Sequence, residues 1–243
     1  MKSRHIWFSI FAVLLFGFLL SRGYGDAGFL MRQGNYYFNG GAYDLEKAER
    51  AFQRAVRIEP GILWGHYQLA RIYFVKGDSA KATEEINKEL EANPENLRSL
   101  YVRGLIYGFG KNFVSAEEDF RLFTLWAPKE WAGYNDLAWI LAREGKYEET
   151  KNVLISALAK VPKAESNPWL FNSLGVAYLN LKDYKNARAH LEKAMAAMAK
   201  LTLRGWQNAY PGNDPKSAEE GMAAFREAIK ENLRRARGVD NGV

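Results

Sequence analysis

The side chains best suited to chemistry are few and scattered along the chain. Three histidines occur, His5, His66 and His190. An imidazole serves as a base or metal ligand when a second ligand or an orienting group comes within reach, commonly one helical turn away. None of the three has a second imidazole at that spacing, so His66 and His190 read as surface or packing residues. Cysteine is absent, which removes thiolate zinc sites, disulfides, thiol nucleophiles and lipid attachment through an N-terminal cysteine. Glu117, Glu118 and Asp119 put three carboxylates together. At a helix start such a run favours the positive end of the dipole and needs no catalytic role. "YGFGKN" carries Gly108 and Gly110, but Phe113 stands where a phosphate loop would need its third glycine, and no strand pattern precedes it. It reads as a helix-ending turn. No G-x-S-x-G, H-E-x-x-H or Walker pattern is present. The expectation is a chain that is no enzyme and has no catalytic, metal or cofactor-binding residues.

The elements that would position these side chains announce themselves by punctuation. Pro60, Pro94, Pro128 and Pro162 are 34 residues apart, and each ends an amphipathic run, because the proline ring disfavours helical geometry in the residue before it. Other positions fall into the same register. Ala70, Gly104, Ala138 and Gly175 form one column, and Tyr73, Tyr107, Leu141 and Tyr178 a second. Phe52, Ile86, Phe120, Leu154 and Leu191 form a third, and Ala48, Ala82, Ala116, Thr150 and Ala187 a fourth. Small residues recur where helices must approach closely, and bulky ones where a knob fills the space between them. Within each interval a turn signal splits the run: "NGGAYD" at 39–44, "KGDS" at 76–79, "GKN" at 110–112, "EGKY" at 144–147 and "LKDY" at 181–184. Glycine there suits a left-handed helix end, and Asp78 or Asp183 suits the cap of the next helix. Each interval is therefore a helical hairpin.

This pattern resembles the tetratricopeptide repeat (TPR) family, whose 34-residue signature runs W-x2-L-G-x2-Y, then A, F, A and a closing P. The fifth interval carries it through Leu174, Gly175, Tyr178, Ala187, Leu191 and Ala194, the first through Ala48, Phe52, Ala55 and Pro60. Glu89 and Phe123 depart from it where alanine is usual, and residues 163–167 are an insertion. The resemblance implies an all-α superhelix, an α-solenoid of about five hairpins over residues 26–200. Residues 201–243 read as a loop, a capping helix built on Ala218, Met222, Phe225, Ile229 and Leu233, and a frayed tail. It further implies a concave groove lined by the first helix of each hairpin, which binds a protein or extended peptide. Carried onto this chain, the groove positions are Asn35, Trp64, Tyr67, Arg71, Phe74, Arg98, Tyr101, Asn135, Trp139, Trp169 and Asn172. The aromatic rings would anchor a partner, and the asparagines would pair with its backbone. The clamp by which some TPR proteins hold a C-terminal carboxylate is not expected, because Met31 replaces its lysine and Tyr101 is not basic.

Residues 1–25 are a separate object, with Lys2 and Arg4 ahead of an uncharged apolar run from Ile6 to Leu20. The run suits either a membrane anchor or a cleaved signal, and the charge bias places the rest of the chain outside the cytoplasm. Of the formal charge of +6, Lys2, Arg4 and Arg22 supply three and residues 226–243 two, leaving residues 26–225 at only +1. No nucleic-acid partner is expected from so even a balance. The reading that follows is a non-catalytic binding scaffold of the cell envelope. The alternative is a self-association module whose groove is filled by its own or a neighbouring chain's C-terminal helix.

Overall fold

Many of the described helix starts are fixed by local chemistry. Asp44, Asp78, Asn96, Asn112, Asn167 and Asp183 each accept, through the side chain, the backbone N–H three residues on. Each replaces an acceptor that the first turn of a helix lacks. Gly77 and Gly145 close their helices at φ +79° and +76°. In two further turns the left-handed residue is Lys111 or Lys182, at φ +64° and +62°. Gly110 itself stays at φ −73°, because its N–H still bonds back to the Ile106 carbonyl and the reversal falls one residue later.

The computed structural model describes residues 26–39, 42–209 and 213–238, arranged as two compact units that meet in sequence at Ala92 and Asn93. The N-terminal targeting segment lies outside the described residues. The first unit holds α1 (Ala27–Asn39), α2 (Leu45–Ile58), α3 (Gly65–Val75) and α4 (Ser79–Ala92). The second holds α5 (Leu97–Phe109), α6 (Phe113–Trp126), α7 (Trp131–Arg143), α8 (Tyr147–Lys160), α9 (Pro168–Asn180), α10 (Tyr184–Lys200), α11 (Leu203–Ala209) and α12 (Ala218–Gly238). Short 3-10 turns span Ala164–Ser166 and Pro215–Ser217, and no strand occurs among the described residues. No described helix is long and apolar enough to cross a membrane.

Consecutive pairs from α1/α2 to α9/α10 are five hairpins, and the sequence columns are their cores. Phe52, Ile86, Phe120, Leu154 and Leu191 are all fully buried, as are Ala48, Ala82, Ala116 and Ala187. Small residues opposite make the room. A Cβ on Gly34 would stand 2.5 Å from the Phe52 ring, and one on Gly175 2.5 Å from Leu191 Cγ. The two departures from the repeat pattern are each accommodated by a neighbour. Phe123 is buried, and Gly133 lets it in, since a Cβ there would lie 2.4 Å from its ring. Glu89 is 1% exposed and accepts the Tyr67 N–H at 3.2 Å.

The C-terminal segment differs from its sequence reading at one point. Residues 203–209, expected in a loop, form α11, whose start is capped by Thr202 Oγ1 accepting the Gly205 N–H at 3.0 Å. Beyond it α12 buries Ala218, Ile229, Leu233 and Ala236, covering α10 through Leu191, Ala194 and Met198. Its other faces carry Glu219, Glu220, Lys230, Arg234 and Arg235 into solvent, as a terminal helix must.

Candidate functional site

In the first unit the first helices of the two hairpins are α1 and α3. Asn35 Oδ1 accepts from Gln68 Nε2 at 2.7 Å, and Gln68 Oε1 accepts from Arg71 at 2.8 Å. The Arg71 guanidinium stands 4.6 Å from the Phe38 ring centre and 5.5 Å from that of Tyr67, so two rings share one cation. Trp64 meets Tyr67 edge-on at 5.2 Å. Asn35, Trp64, Tyr67 and Arg71 are thus brought together, all half-buried, and Phe74 follows them half-buried on α3. Trp64 is itself the residue before α3, left-handed at φ +70° and unable to offer a side-chain cap. Glu89 of α4 supplies that missing acceptor.

In the second unit the first helices are α5, α7 and α9, with α12 following them. Tyr101 donates to Asp136 Oδ2 at 2.5 Å, Asn135 Nδ2 donates to Asp136 Oδ1 at 3.2 Å, and Ser173 donates to Asn135 Oδ1 at 2.8 Å. Asn232 on α12 donates to Asn172 Oδ1 at 3.1 Å. In both units, then, a polar residue of one first helix pairs with a polar residue of the next. Gln68, Asp136 and Ser173 complete rungs begun by Asn35, Tyr101 and Asn135. The asparagines expected to meet a peptide backbone therefore have their side-chain carbonyls occupied within the protein. The physical reason is that a half-buried amide takes the nearest donor, and the repeat interval delivers one.

The rings divide in two. Trp139 is half-buried and packs on Phe109 at 5.1 Å, with Phe109 itself 64% exposed. Arg98 is exposed. Trp169, by contrast, is only 7% exposed, covered on one face by Trp131 at 4.8 Å and on the other by Phe225 at 5.8 Å, with Trp206 at 5.9 Å. It packs among these rings, whereas the sequence places it on the groove. Asp136 escaped the sequence reading. Its signal was the polar residue recurring one position after the expected ones, in register with Gln68 and Ser173. Burial pushes its carboxyl up to about 6, against the hydrogen bonds from Tyr101 and Asn135.

Residues 170–197 match the family model for the tetratricopeptide repeat. The structure of YrrB, described as a TPR protein with an unusual peptide-binding site, superposes with a TM-score of 0.60 at 19% identity, covering 76% of this chain and 93% of that one. The structure of pilF from Pseudomonas aeruginosa gives a TM-score of 0.61 at 15% identity over 87% and 92% of the two chains. The fold is that of the tetratricopeptide repeat. A peptidyl-prolyl cis-trans isomerase of Arabidopsis thaliana, PASTICCINO1, is 30% identical over 102 residues, 37% of this chain. The chain spans only 16% of that relative's length.

On this TPR framework His66, His190, Glu117 and Asp119 are tied to structural partners. His66 Nδ1 lies 2.7 Å from Glu85 Oε2, joining α3 to α4, and that hydrogen bond holds the imidazole above its ordinary range. Glu85 also takes Lys88 at 2.9 Å. His190 Nδ1 lies 2.9 Å from the Asn186 carbonyl, with its ring stacked on Tyr178. The acidic run sits beyond the first turn of α6 and joins neighbouring helices instead of serving the dipole. Asp119 takes Arg103 in a two-pronged pair at 2.8 and 2.9 Å. Burial alone would raise Glu117, but Lys146 at 2.7 Å and Arg121 at 2.6 Å outweigh it and hold the carboxyl at about 2. Among the described residues no group of three His, Cys, Asp or Glu side chains is placed to hold a metal ion.

Proposed function

We propose that this chain is a non-catalytic scaffold of the cell envelope that binds a protein or extended peptide on the faces of its first helices. TPR folds are generally protein-interaction scaffolds, and YrrB, similar in fold, is described with a peptide-binding site. The observation that carries the reading is the composition of those faces. In the second unit Arg98 is exposed while Tyr101 and Trp139 are partly so; in the first, Trp64, Tyr67 and Arg71 form a half-buried network. Large rings and arginine are the usual anchors of protein interfaces, because they bring contact area with little rotamer entropy to lose. The envelope assignment rests on Lys2, Arg4 and the apolar run Ile6–Leu20. Proximity labelling in cells from the full-length chain, followed by titration of the purified partner, tests both parts. The combined change Arg98→Ala and Trp139→Ala is expected to weaken binding at least tenfold with helical circular dichroism unchanged. Full binding by that variant removes the assigned surface, and labelling confined to cytoplasmic proteins removes the envelope.

A second reading is favoured by the covering of Trp169 and Asn172 by α11 and α12. In it the C-terminal helix is the natural occupant of the surface, supplied by the same or a neighbouring copy. Deleting residues 215–243 and measuring mass by sedimentation distinguishes the two: an oligomer that falls apart supports self-association, and an unchanged mass with partner binding retained supports the scaffold.

A further inference from the structure

We infer that Asp136 is a subsite for one cationic side chain, lysine or arginine, of the bound peptide. The inference rests on the peptide-binding reading above and adds the chemistry of the residue recognised. Of the other rungs, Gln68 with Asn35, Ser173 with Asn135 and Asn232 with Asn172 are neutral, and Arg71 with Asn39 at 3.5 Å carries a cation. Among the described residues, only at Tyr101 is the partner a carboxylate. An amide at position 136 would accept the tyrosine hydroxyl equally well, so the hydrogen bond alone does not account for a charge there.

The carboxylate is also incompletely used. Each oxygen takes one neutral donor, Tyr101 Oη on one and Asn135 Nδ2 on the other, whereas an ionised carboxylate offers about four acceptor directions. Of the basic residues on α5 and α7, Arg103 pairs with Asp119, Arg143 stands above the Phe113 ring at 5.7 Å, and Arg98 is exposed one turn before Tyr101. Among the described residues no lysine or arginine forms an ion pair with Asp136. At pH 7 the group is mostly ionised, desolvated and without a counter-charge, which an incoming cation relieves. The residue as a whole is half-buried. Trp139 lies one turn further along α7, with Phe109 against it, so aromatic surface is at hand for the apolar stem of a lysine or the plane of a guanidinium.

The test is selection of a random peptide library at pH 7 against the full chain and against Asp136→Asn, which preserves an acceptor for Tyr101. Wild-type protein is expected to enrich lysine or arginine at one peptide position at least fivefold. The variant loses that enrichment and keeps the preferences at other positions. Replacing that lysine by norleucine in a selected peptide (the arginine by citrulline) is expected to weaken binding to wild-type protein at least tenfold; this arm decides the matter should the variant fail to fold. Selected peptides without a basic position, or basic enrichment unchanged in Asp136→Asn, overturn the subsite and leave the peptide-binding reading standing. Recovery of no binding peptide overturns that reading and the subsite with it.

Discussion

Asp136 carries a hydrogen bond on each oxygen, yet burial lifts its carboxyl from an ordinary 3.8 to about 6. In the unfolded chain it titrates near 3.8, so between about pH 4 and 6 the native state binds more protons. Its contribution to stability is therefore largest below that window and is lost as the pH rises through it, by on the order of 2–3 kcal/mol. Urea unfolding at pH 4 and pH 7 should show wild-type stability falling by that amount relative to Asp136→Asn. A difference between the two proteins that does not change with pH contradicts this. Glu89 is the opposite kind of residue, a buried carboxylate whose role is local: it accepts the Tyr67 N–H where Trp64 offers no cap. Glu89→Ala removes the acceptor of that part-buried donor and should cost about 1–3 kcal/mol, against less than about 0.5 for the exposed Glu91→Ala. Equal effects from both changes count against the capping role. Neither residue's task was legible in the sequence. Glu89 read as a flaw in the repeat, because its compensation depends on the backbone angle of Trp64, a left-handed conformation that side-chain type does not encode.

The hairpin is where sequence and structure agree most closely. Phe52, Ile86, Phe120, Leu154 and Leu191 recur because each fills the same space, and Gly175 is small because Leu191 lies where its Cβ would be. Such columns are visible in sequence because packing demands volume, and volume is a property of residue type. Turns are less legible: Lys111 adopts the left-handed backbone expected of Gly110, Lys182 does so in a turn without glycine, and α11 arises where turn formers predicted a loop. The close approach in the fifth hairpin makes a direct test. Gly175→Ala places a methyl 2.5 Å from Leu191 Cγ and should destabilise by about 1–3 kcal/mol, while Leu191→Ala empties a fully buried site at about 2–5 kcal/mol. The two are in contact, so they should not add. In the double variant the second change should cost at least about 1 kcal/mol less than alone, as the vacated space admits the new methyl. Strict additivity in chemical denaturation means that the contact is not the constraint.

At the scale of the whole molecule, the period predicts repeats but not where the chain separates into compact units, because the 34-residue columns run unbroken through Pro94 while the division falls between Ala92 and Asn93. Nor does it show how the array ends. No hairpin can cover its own apolar side, so the last one needs a helix that follows the packing of a further repeat while presenting charge outward. Helix α12 meets both demands: Ile229, Leu233 and Ala236 complete the core around Leu191, Ala194 and Met198, and Asn232 extends the polar rungs to Asn172. Phe225 and Trp206 close over Trp169 from the same segment. A chain ending at Lys200 would lose all of these contacts at once and expose the α10 face. Hydrogen exchange should then show protection lost first in α9 and α10, decaying toward α7, with α1 and α2 unchanged, and the truncated protein should bind an apolar dye. Energy in a stacked array passes between neighbours only, which is why the effect is expected to fade with distance. Uniform loss of protection along the chain means instead that the C-terminal helix supports the molecule as a single cooperative body, and that the nearest-neighbour account of this array is wrong.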